Sequence, residues 1–164
     1  MSEYTLVVVD MQYGFSTALE ELTILGCQEQ IKNAIQENNP IVFVEFFGYR
    51  ETLFELTQLT ANYNNKFVLC KSCDNGGHVV QDVISKNNLP QNIKICGVNV
   101  DCCVWQTAKF LSTYYKIELI ATAVNSCLGL IHLSNVFEEY RKHTKIQVSF
   151  ESIMTQRIMK KLAA

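Results

Sequence analysis

The sequence has little of what marks fibrous, secreted or nucleic-acid-binding chains. Only two of its 164 residues are proline, one is tryptophan and 18% are charged. Fourteen Lys and Arg residues against sixteen Asp and Glu residues give a net charge of −2, and the basic residues are scattered. A hydrophobic share of 48% is too high for a disordered polar chain. With no basic stripe to hold a phosphate backbone, we expect a globular protein without a nucleic-acid partner.

Long hydrophobic runs are also missing. Every apolar stretch is far shorter than the ~20 residues that a membrane-spanning helix needs. The first residues lead into an apolar run with neither the basic start nor the small-residue cleavage site of a signal peptide. We therefore expect a cytoplasmic protein that does not bind membranes.

The seven cysteines are too few, and the chain too long, for a secreted disulfide scaffold. We expect most of them to be reduced, with Cys27, Cys96 and Cys127 acting as small buried hydrophobes. Cys70 and Cys73 form a single CxxC pair, which alone is a weak indication of zinc or redox chemistry. A thiol redox protein that uses this pair, or the adjacent Cys102 and Cys103, remains an alternative.

Short β-branched runs alternate with longer amphipathic stretches along the whole chain. This alternation predicts one domain over residues 1–164 with an α/β fold. Its architecture would be a three-layer sandwich, in which helices cover both faces of a mainly parallel, six-stranded, Rossmann-like sheet. The predicted strands are 4–9, 41–46, 66–70, 93–96, 117–121 and 145–148, and the predicted helices are 19–37, 51–63, 77–88, 101–115, 134–142 and 152–162.

Sheets of this kind carry their chemistry at the carboxyl ends of the strands. Asp10 follows the first predicted strand, where a carboxylate is a general base, a metal ligand or a helix cap. Lys71 follows the third strand, and a fixed cation beside a thiol would lower the pKa of that thiol. We therefore expect these two side chains near the segment after the fourth strand.

That segment contains Cys103. Gly97 lets the chain turn at the end of the strand, and Asp101 suits the N-cap of the next helix. Cys103 then falls in the first turn, where backbone N–H groups and the helix dipole favour a thiolate and a developing oxyanion. Cys102 would project about 100° away around the helix, so we expect only one of the pair to face the site.

Three segments, VVVDMQYGF, FVLCK and ICGVNVDCCVWQTA, resemble the isochorismatase-like cysteine hydrolases in order and separation. The third is close to the family pattern Gly-Val-x-Thr-Asp-x-Cys-Val-x-x-Thr-Ala, with Val100 in place of threonine. The resemblance extends over nearly the whole chain. The matching positions are Gly97, Val98, Asp101, Cys103, Val104, Thr107 and Ala108.

The resemblance implies a catalytic triad of Asp10, Lys71 and Cys103. Asp10 would take the thiol proton, Lys71 would hold both charges, and Cys103 would form an acyl-enzyme that water releases. It also implies a cis peptide bond before Asn99, with the backbone N–H groups of Asn99 and Cys103 binding the oxyanion. Phe15 would line the pocket for the substrate.

Departures from the family narrow the expected reaction. Nicotinamidase-like members hold a metal through histidines after the second strand, and this chain has none there, so we expect no metal and no cofactor. The presence of the cysteine favours a small amide or ureide-type substrate. Because the segment after Lys71 reads SCDNGG instead of the usual pocket residues, a catalytically inactive binding or assembly module remains an alternative. The family resemblance further implies a homo-oligomer, either a dimer or a tetramer.

Overall fold

The computed structural model describes residues 3–129 and 132–150. All neighbouring strands of its six-stranded sheet are parallel, in the order β3-β2-β1-β4-β5-β6. The predicted α/β sheet is therefore confirmed. The strands are β1 (Thr5–Val9), β2 (Ile41–Phe46), β3 (Lys66–Lys71), β4 (Asn92–Val98), β5 (Lys116–Asn125) and β6 (Ile146–Ser149).

Helices lie on both faces of this sheet, which makes the three layers that the alternating pattern predicts. The α-helices are α1 (Glu21–Gln36), α2 (Phe54–Thr57), α3 (Gly77–Asn87), α4 (Cys103–Leu111) and α5 (Leu133–Arg141), and 3₁₀ turns cover Ser16–Leu19 and Gln58–Thr60.

Alternate residues of β1 divide the core into two clusters. Leu6 and Val8 point to one face and pack with α1, where Cys27 and Ile31 are buried. Val7 and Val9 point to the other face and belong to the cluster formed with α3, α4 and α5. Because β1 is central and buried on both faces, its sequence is a continuous apolar run instead of an alternating one.

β1 and β4 are the two central strands of the sheet. From β1 the chain adds strands toward one edge, and from β4 it adds strands toward the other edge. Connections leave the centre on opposite sides at this point, so a crevice opens at the carboxyl ends of the two strands. Asp10 comes directly after β1, and the segment 99–103 comes directly after β4. The topology thus brings the first and third sequence motifs to one place.

Two predicted elements differ from the structure, and a third cannot be compared with it. The helix predicted over 51–63 is only the short α2 followed by a 3₁₀ turn, because Thr52 is bonded to Glu45 and Leu53 to Met11 before the helix begins. The fifth strand continues to Asn125 through an irregularity opposite Ile95 and Gly97. The helix predicted over 152–162 lies outside the described residues.

Among residues 3–129 and 132–150, no helix combines the length and the apolar character that crossing a membrane requires.

Gly26 lets α1 pack closely against β5. A Cβ atom at this position would lie 2.1 Å from the carbonyl oxygen of Thr122 on β5. We expect Gly26→Ala to lower the free energy of unfolding by about 1–3 kcal/mol through overpacking, although alanine is normally the better residue inside a helix. Urea denaturation measures this change. Lys32→Ala, at an exposed position of the same helix, should stay within about 0.5 kcal/mol of the wild type, and an equally small effect at Gly26 would contradict the close packing.

Candidate active site

A buried ion pair lies at the carboxyl edge of the sheet. Lys71 Nζ is 2.9 Å from Asp10 Oδ2, and the two side chains are 2% and 0% exposed. The ammonium group also donates to the backbone oxygens of Cys73 at 3.1 Å and Asp74 at 3.4 Å. Three acceptors for three N–H groups leave the ammonium little freedom, so its charge is fixed in position.

Lys71 comes from β3, two strands away from β1, and its side chain crosses the end of β2 to reach Asp10. Nζ lies 4.1 Å from the centre of the Phe46 ring on that intervening strand. Gly76 lets the following loop pass close by, since a Cβ there would lie 3.1 Å from Lys71 Cδ and 2.9 Å from Val44 Cγ1. The lysine is therefore a buried part of the site, as its position after the strand indicated.

Cys103 is the first residue of α4 and is 3% exposed. The turn into this helix requires Gly97, whose φ is +111° and whose hypothetical Cβ would lie 2.1 Å from the carbonyl oxygen of Val9. The thiol lies beside the Asp10 carboxylate, close enough for a hydrogen bond between them. Its sulfur also lies 3.7 Å from Asp74 Oδ1. The structure therefore brings Asp10, Lys71 and Cys103 together.

The thiol is protonated at neutral pH, which is the opposite of the expectation from its neighbouring cation. Burial raises the pKa of Cys103 far above its usual range, and the Asp10 charge and hydrogen bond raise it further. The Lys71 charge acts in the other direction but is outweighed. Burial also raises the pKa of Asp10, against the opposing effects of Lys71 and of the hydrogen bond from Cys103. The carboxylate is consequently a stronger base than an exposed aspartate.

Two backbone N–H groups at the turn into α4 have no hydrogen-bond partner among the described residues. The peptide bond between Val98 and Asn99 is cis. Within the described part of the chain, the N–H groups of Asn99 and Cys103 make no hydrogen bond, whereas those of Cys102 and Val104 both donate to the carbonyl oxygen of Asn99. The amino end of α4 thus has free donors at the residues that the resemblance implicated.

The start of α4 differs from the prediction at two residues. Cys102, and not Asp101, is the N-cap, and its φ of −136° and ψ of −95° are not helical. The helical rotation of about 100° therefore does not separate Cys102 from Cys103, and both sulfurs lie near Asp74. The Asp101 carboxylate accepts instead from Ser126 Oγ at 2.8 Å and Cys127 Sγ at 3.3 Å.

Of the three cysteines expected to be buried, Cys27 and Cys96 are buried and Cys127 is exposed.

Aromatic side chains adjoin the ion pair. Phe15 stacks on Tyr49 with ring centres 4.3 Å apart, and its ring centre lies 6.4 Å from that of Phe46. Phe46 in turn contacts Lys71. Phe15 therefore lies one aromatic ring away from the ion pair, which agrees with its predicted place but leaves its contact with a substrate a prediction.

Two residues that hold the loops of the site, Gln12 and Thr107, were assigned no structural role from the sequence. Gln12 is fully buried and fixes the loop after β2, accepting from the Phe46 N–H at 2.6 Å and donating to the carbonyl oxygens of Phe46 and Arg50. Thr107 on α4 accepts from the Gly76 N–H at 2.9 Å and ties that helix to the loop carrying Asp74. Only long-range contacts reveal these roles, so no local pattern could have predicted them.

The residues after β2 do not fit the histidine-bound metal of nicotinamidase-like proteins. Residues 47–52 contain no histidine. The carboxylate of Glu45 accepts from the N–H and hydroxyl of Thr52 at 2.9 and 2.7 Å, so it is engaged in the loop. No catalytic step is therefore routed through a metal at this position.

The fold matches solved structures over most of the chain. The nicotinamidase from Staphylococcus aureus aligns with a TM-score of 0.76 and 19% identity over 91% of this chain and 100% of that one. N-carbamoylsarcosine amidase from Thermoplasma acidophilum gives a TM-score of 0.72 and 20% identity over 93% and 99%. An isochorismatase family protein gives 0.72 and 17% over 89% and 97%. No family model and no curated protein matches the chain.

The chain has the isochorismatase-like fold. The resemblance read from the three sequence motifs is confirmed at this level. Identities of 20% or less establish the fold and not the reaction, because one fold hosts many activities.

The raised thiol pKa leads to a prediction about alkylation. Iodoacetamide reacts with thiolates, so Cys103 should label with a pH midpoint above that of a free thiol, near 8.5. Asp10→Asn should move this midpoint down, because it removes a negative charge, and Lys71→Gln should move it up. Mass spectrometry of the Cys103 peptide after timed labelling measures each midpoint. Exposed Cys70 provides the internal reference, and a Cys103 midpoint below it would contradict the assignment.

Proposed function

We propose that this protein is a metal-independent cysteine hydrolase that cleaves the C–N bond of a small amide or ureide-type molecule through an acyl-enzyme on Cys103. The observation that carries the proposal is the buried Asp10–Lys71 ion pair with the Cys103 thiol beside the carboxylate. A nucleophile, a base and a fixed cation in contact are the requirements of covalent hydrolysis. The names of two structural neighbours, a nicotinamidase and an N-carbamoylsarcosine amidase, support the choice of C–N bonds.

In the first half of the reaction, Asp10 takes the thiol proton as the sulfur attacks the substrate carbonyl carbon. Because the thiol is protonated at rest, proton transfer and attack are coupled, and a base with a raised pKa suits that task. The carbonyl oxygen becomes an oxyanion, which the N–H groups of Asn99 and Cys103 stabilise. When the C–N bond breaks, the leaving nitrogen takes the proton from Asp10, and the acyl group stays on sulfur as a thioester.

In the second half, water releases the acyl group. Asp10 takes a proton from the attacking water, and the same two N–H groups hold the second oxyanion. The C–S bond then breaks, the sulfur recovers its proton, and the acid leaves. The sum is amide plus water giving acid plus amine, so no redox partner or cofactor is consumed.

Lys71 contributes by holding the carboxylate without reacting itself. Its three donors are directed at Asp10, Cys73 and Asp74, so it cannot swing toward the substrate without breaking those bonds. It keeps Asp10 oriented and balances the negative charge that passes between carboxylate, sulfur and oxyanion. We infer that it acts as a positioning residue.

The decisive variant is Cys103→Ala. We expect it to reduce the rate of hydrolysis of a panel of small amides and ureides by about 10³-fold or more. Residues that act together in catalysis lose most of their effect when the nucleophile is removed. Asp10→Asn should cost about 10²–10⁴-fold through loss of the general base. Release of ammonia or amine measures the rate, and circular dichroism checks that each variant is folded.

The matched control is Cys70→Ser, which changes an exposed cysteine that precedes Lys71 on β3 but points to the opposite face of the strand, and it should leave the rate unchanged. A Cys103→Ala protein as active as the wild type would remove the assigned nucleophile. If no member of the panel is hydrolysed by the wild type, and a substrate-like amide still binds, the non-catalytic binding module is favoured. A rate that instead depends on Cys70 and Cys73 would favour the thiol redox alternative.

Phe15 should affect binding more than chemistry. We expect Phe15→Ala to raise KM for substrates with a planar ring by about tenfold, in keeping with the 1–3 kcal/mol that hydrophobic pocket contacts contribute, while kcat changes much less. Steady-state kinetics with a ring-bearing amide and a small aliphatic amide measures the difference. Phe47→Ala is the control, because that side chain is 75% exposed. An equal effect on both substrates, or on kcat alone, would argue against a pocket role.

A further inference from the structure

Cys102, Cys103 and Asp74 bring three metal-binding side chains together beside the catalytic base. One ligand atom from each, two sulfurs and one carboxylate oxygen, lies within 4.8 Å of the others. The Cys103 sulfur and Asp74 Oδ1 are 3.7 Å apart. Among residues 3–129 and 132–150, these are the histidine, cysteine or acidic side chains that lie close enough together, in a group of three or more, to hold a metal ion. None of these residues belongs to the segment after β2.

The separations suit a tetrahedral thiolate site. Zinc binds sulfur at about 2.3 Å and carboxylate oxygen at about 2.0–2.2 Å, which places tetrahedral ligand atoms roughly 3.5–3.8 Å apart. The Cys103–Asp74 distance already has this value, and a small rotation of the Cys102 side chain would complete the set. Asp74 is exposed and Cys102 half-buried, so an ion can approach from the solvent side and keep a water as its fourth ligand.

Two backbone features hold the three residues in place. The non-helical backbone of Cys102 turns its sulfur toward the same side as that of Cys103. The backbone oxygen of Asp74 accepts from Lys71, and the Thr107 bond to Gly76 anchors the rest of its loop on α4. The cluster is therefore attached to both α4 and the ion pair.

The geometry points to an inhibitory zinc site formed by Cys102, Cys103 and Asp74. A soft, two-thiolate ligand set selects Zn²⁺ or Cd²⁺ over Mg²⁺ and Ca²⁺, which prefer oxygen ligands. Binding replaces two S–H protons by two S–Zn bonds, releases both protons to solvent, and changes no oxidation state. It also occupies the lone pair with which Cys103 would attack a carbonyl. The inhibition rests on the proposed hydrolase function, whereas the binding does not.

The other exposed cysteines lack such a set. The Cys70 sulfur lies near the carbonyl oxygen of Lys71 at 3.9 Å, and that of Cys73 near the carbonyl oxygen of Asn75 at 3.5 Å. Cys127 donates to Asp101. Substitutions at these three cysteines therefore provide matched controls. Each removes one thiol from the protein but leaves Cys102, Cys103 and Asp74 unchanged.

The test is a Co²⁺ titration of the reduced full-length protein, followed by Zn²⁺ competition. Thiolate-to-cobalt charge-transfer absorption reports the sulfur ligands without any need for activity. We expect one ion per chain with two sulfur ligands, displaced by Zn²⁺ but not by Mg²⁺. Cys102→Ser should weaken Co²⁺ binding on the order of 100-fold. Removing a group that only supports a metal ligand already costs about 10–100-fold, and removing a ligand should cost at least as much. Asp74→Asn should weaken it as well, and Cys70→Ser and Cys127→Ser should not.

Activity gives a second, separable readout. Zn²⁺ should inhibit wild-type amide hydrolysis reversibly on chelation, and Cys102→Ser should remain active but become far less sensitive. If Co²⁺ binds as expected while no amide is hydrolysed, the zinc site stands and the proposed hydrolase function fails. If Cys102→Ser binds Co²⁺ as tightly as the wild type, or the absorption depends on Cys70 or Cys127, the zinc site is overturned.

Discussion

The candidate site depends on one buried ion pair between strands that are not neighbours. Placing an ammonium and a carboxylate at nearly zero exposure carries a desolvation penalty of several kcal/mol per ion, which their attraction offsets only with good geometry and further hydrogen bonds. The two charges are 2.9 Å apart, and the ammonium group is held further by its hydrogen bonds to two backbone oxygens. Removing either partner would leave an uncompensated buried charge, so the pair constrains the ends of β1 and β3 as well as the chemistry.

The same burial keeps Cys103, the proposed nucleophile, in its protonated form. A cation near a cysteine usually indicates a thiolate, but here a carboxylate also adjoins the sulfur and the surroundings are dry. The negative charge of Asp10 and the loss of water outweigh Lys71. A protonated thiol is protected from adventitious oxidants and alkylating agents, which react with the thiolate. Its activation then depends on a substrate that allows proton transfer and attack to occur together.

Residues placed by strand ends were predictable from the sequence, whereas features set by long-range contacts were not. Asp10, Lys71 and Cys103 each lie at the end of a strand or at the start of a helix, and parallel strands bring such positions to one edge. The shortened helix near 54–57 could not be foreseen, because a bond from Thr52 to Glu45 sets where the chain can turn. The pKa of Cys103 could not be foreseen either, since it depends on the degree of burial.

Cys102 shows most clearly how long-range contacts override local sequence preferences at the candidate site. Asp101 has the residue type of a good N-cap, yet its carboxylate is bonded to Ser126 and Cys127, and Cys102 occupies the cap position without a side-chain hydrogen bond. A capping side chain typically contributes about 1 kcal/mol to helix stability, which α4 does without. A capping side chain at this position would accept from the N–H of Val104 or Trp105, whereas the proposed oxyanion donors are the N–H groups of Asn99 and Cys103, which make no hydrogen bond within the described residues. The missing cap therefore costs helix stability without being needed to free those two donors, and what it gives in return is a second sulfur at the amino end of α4, which a residue chosen for capping would not supply.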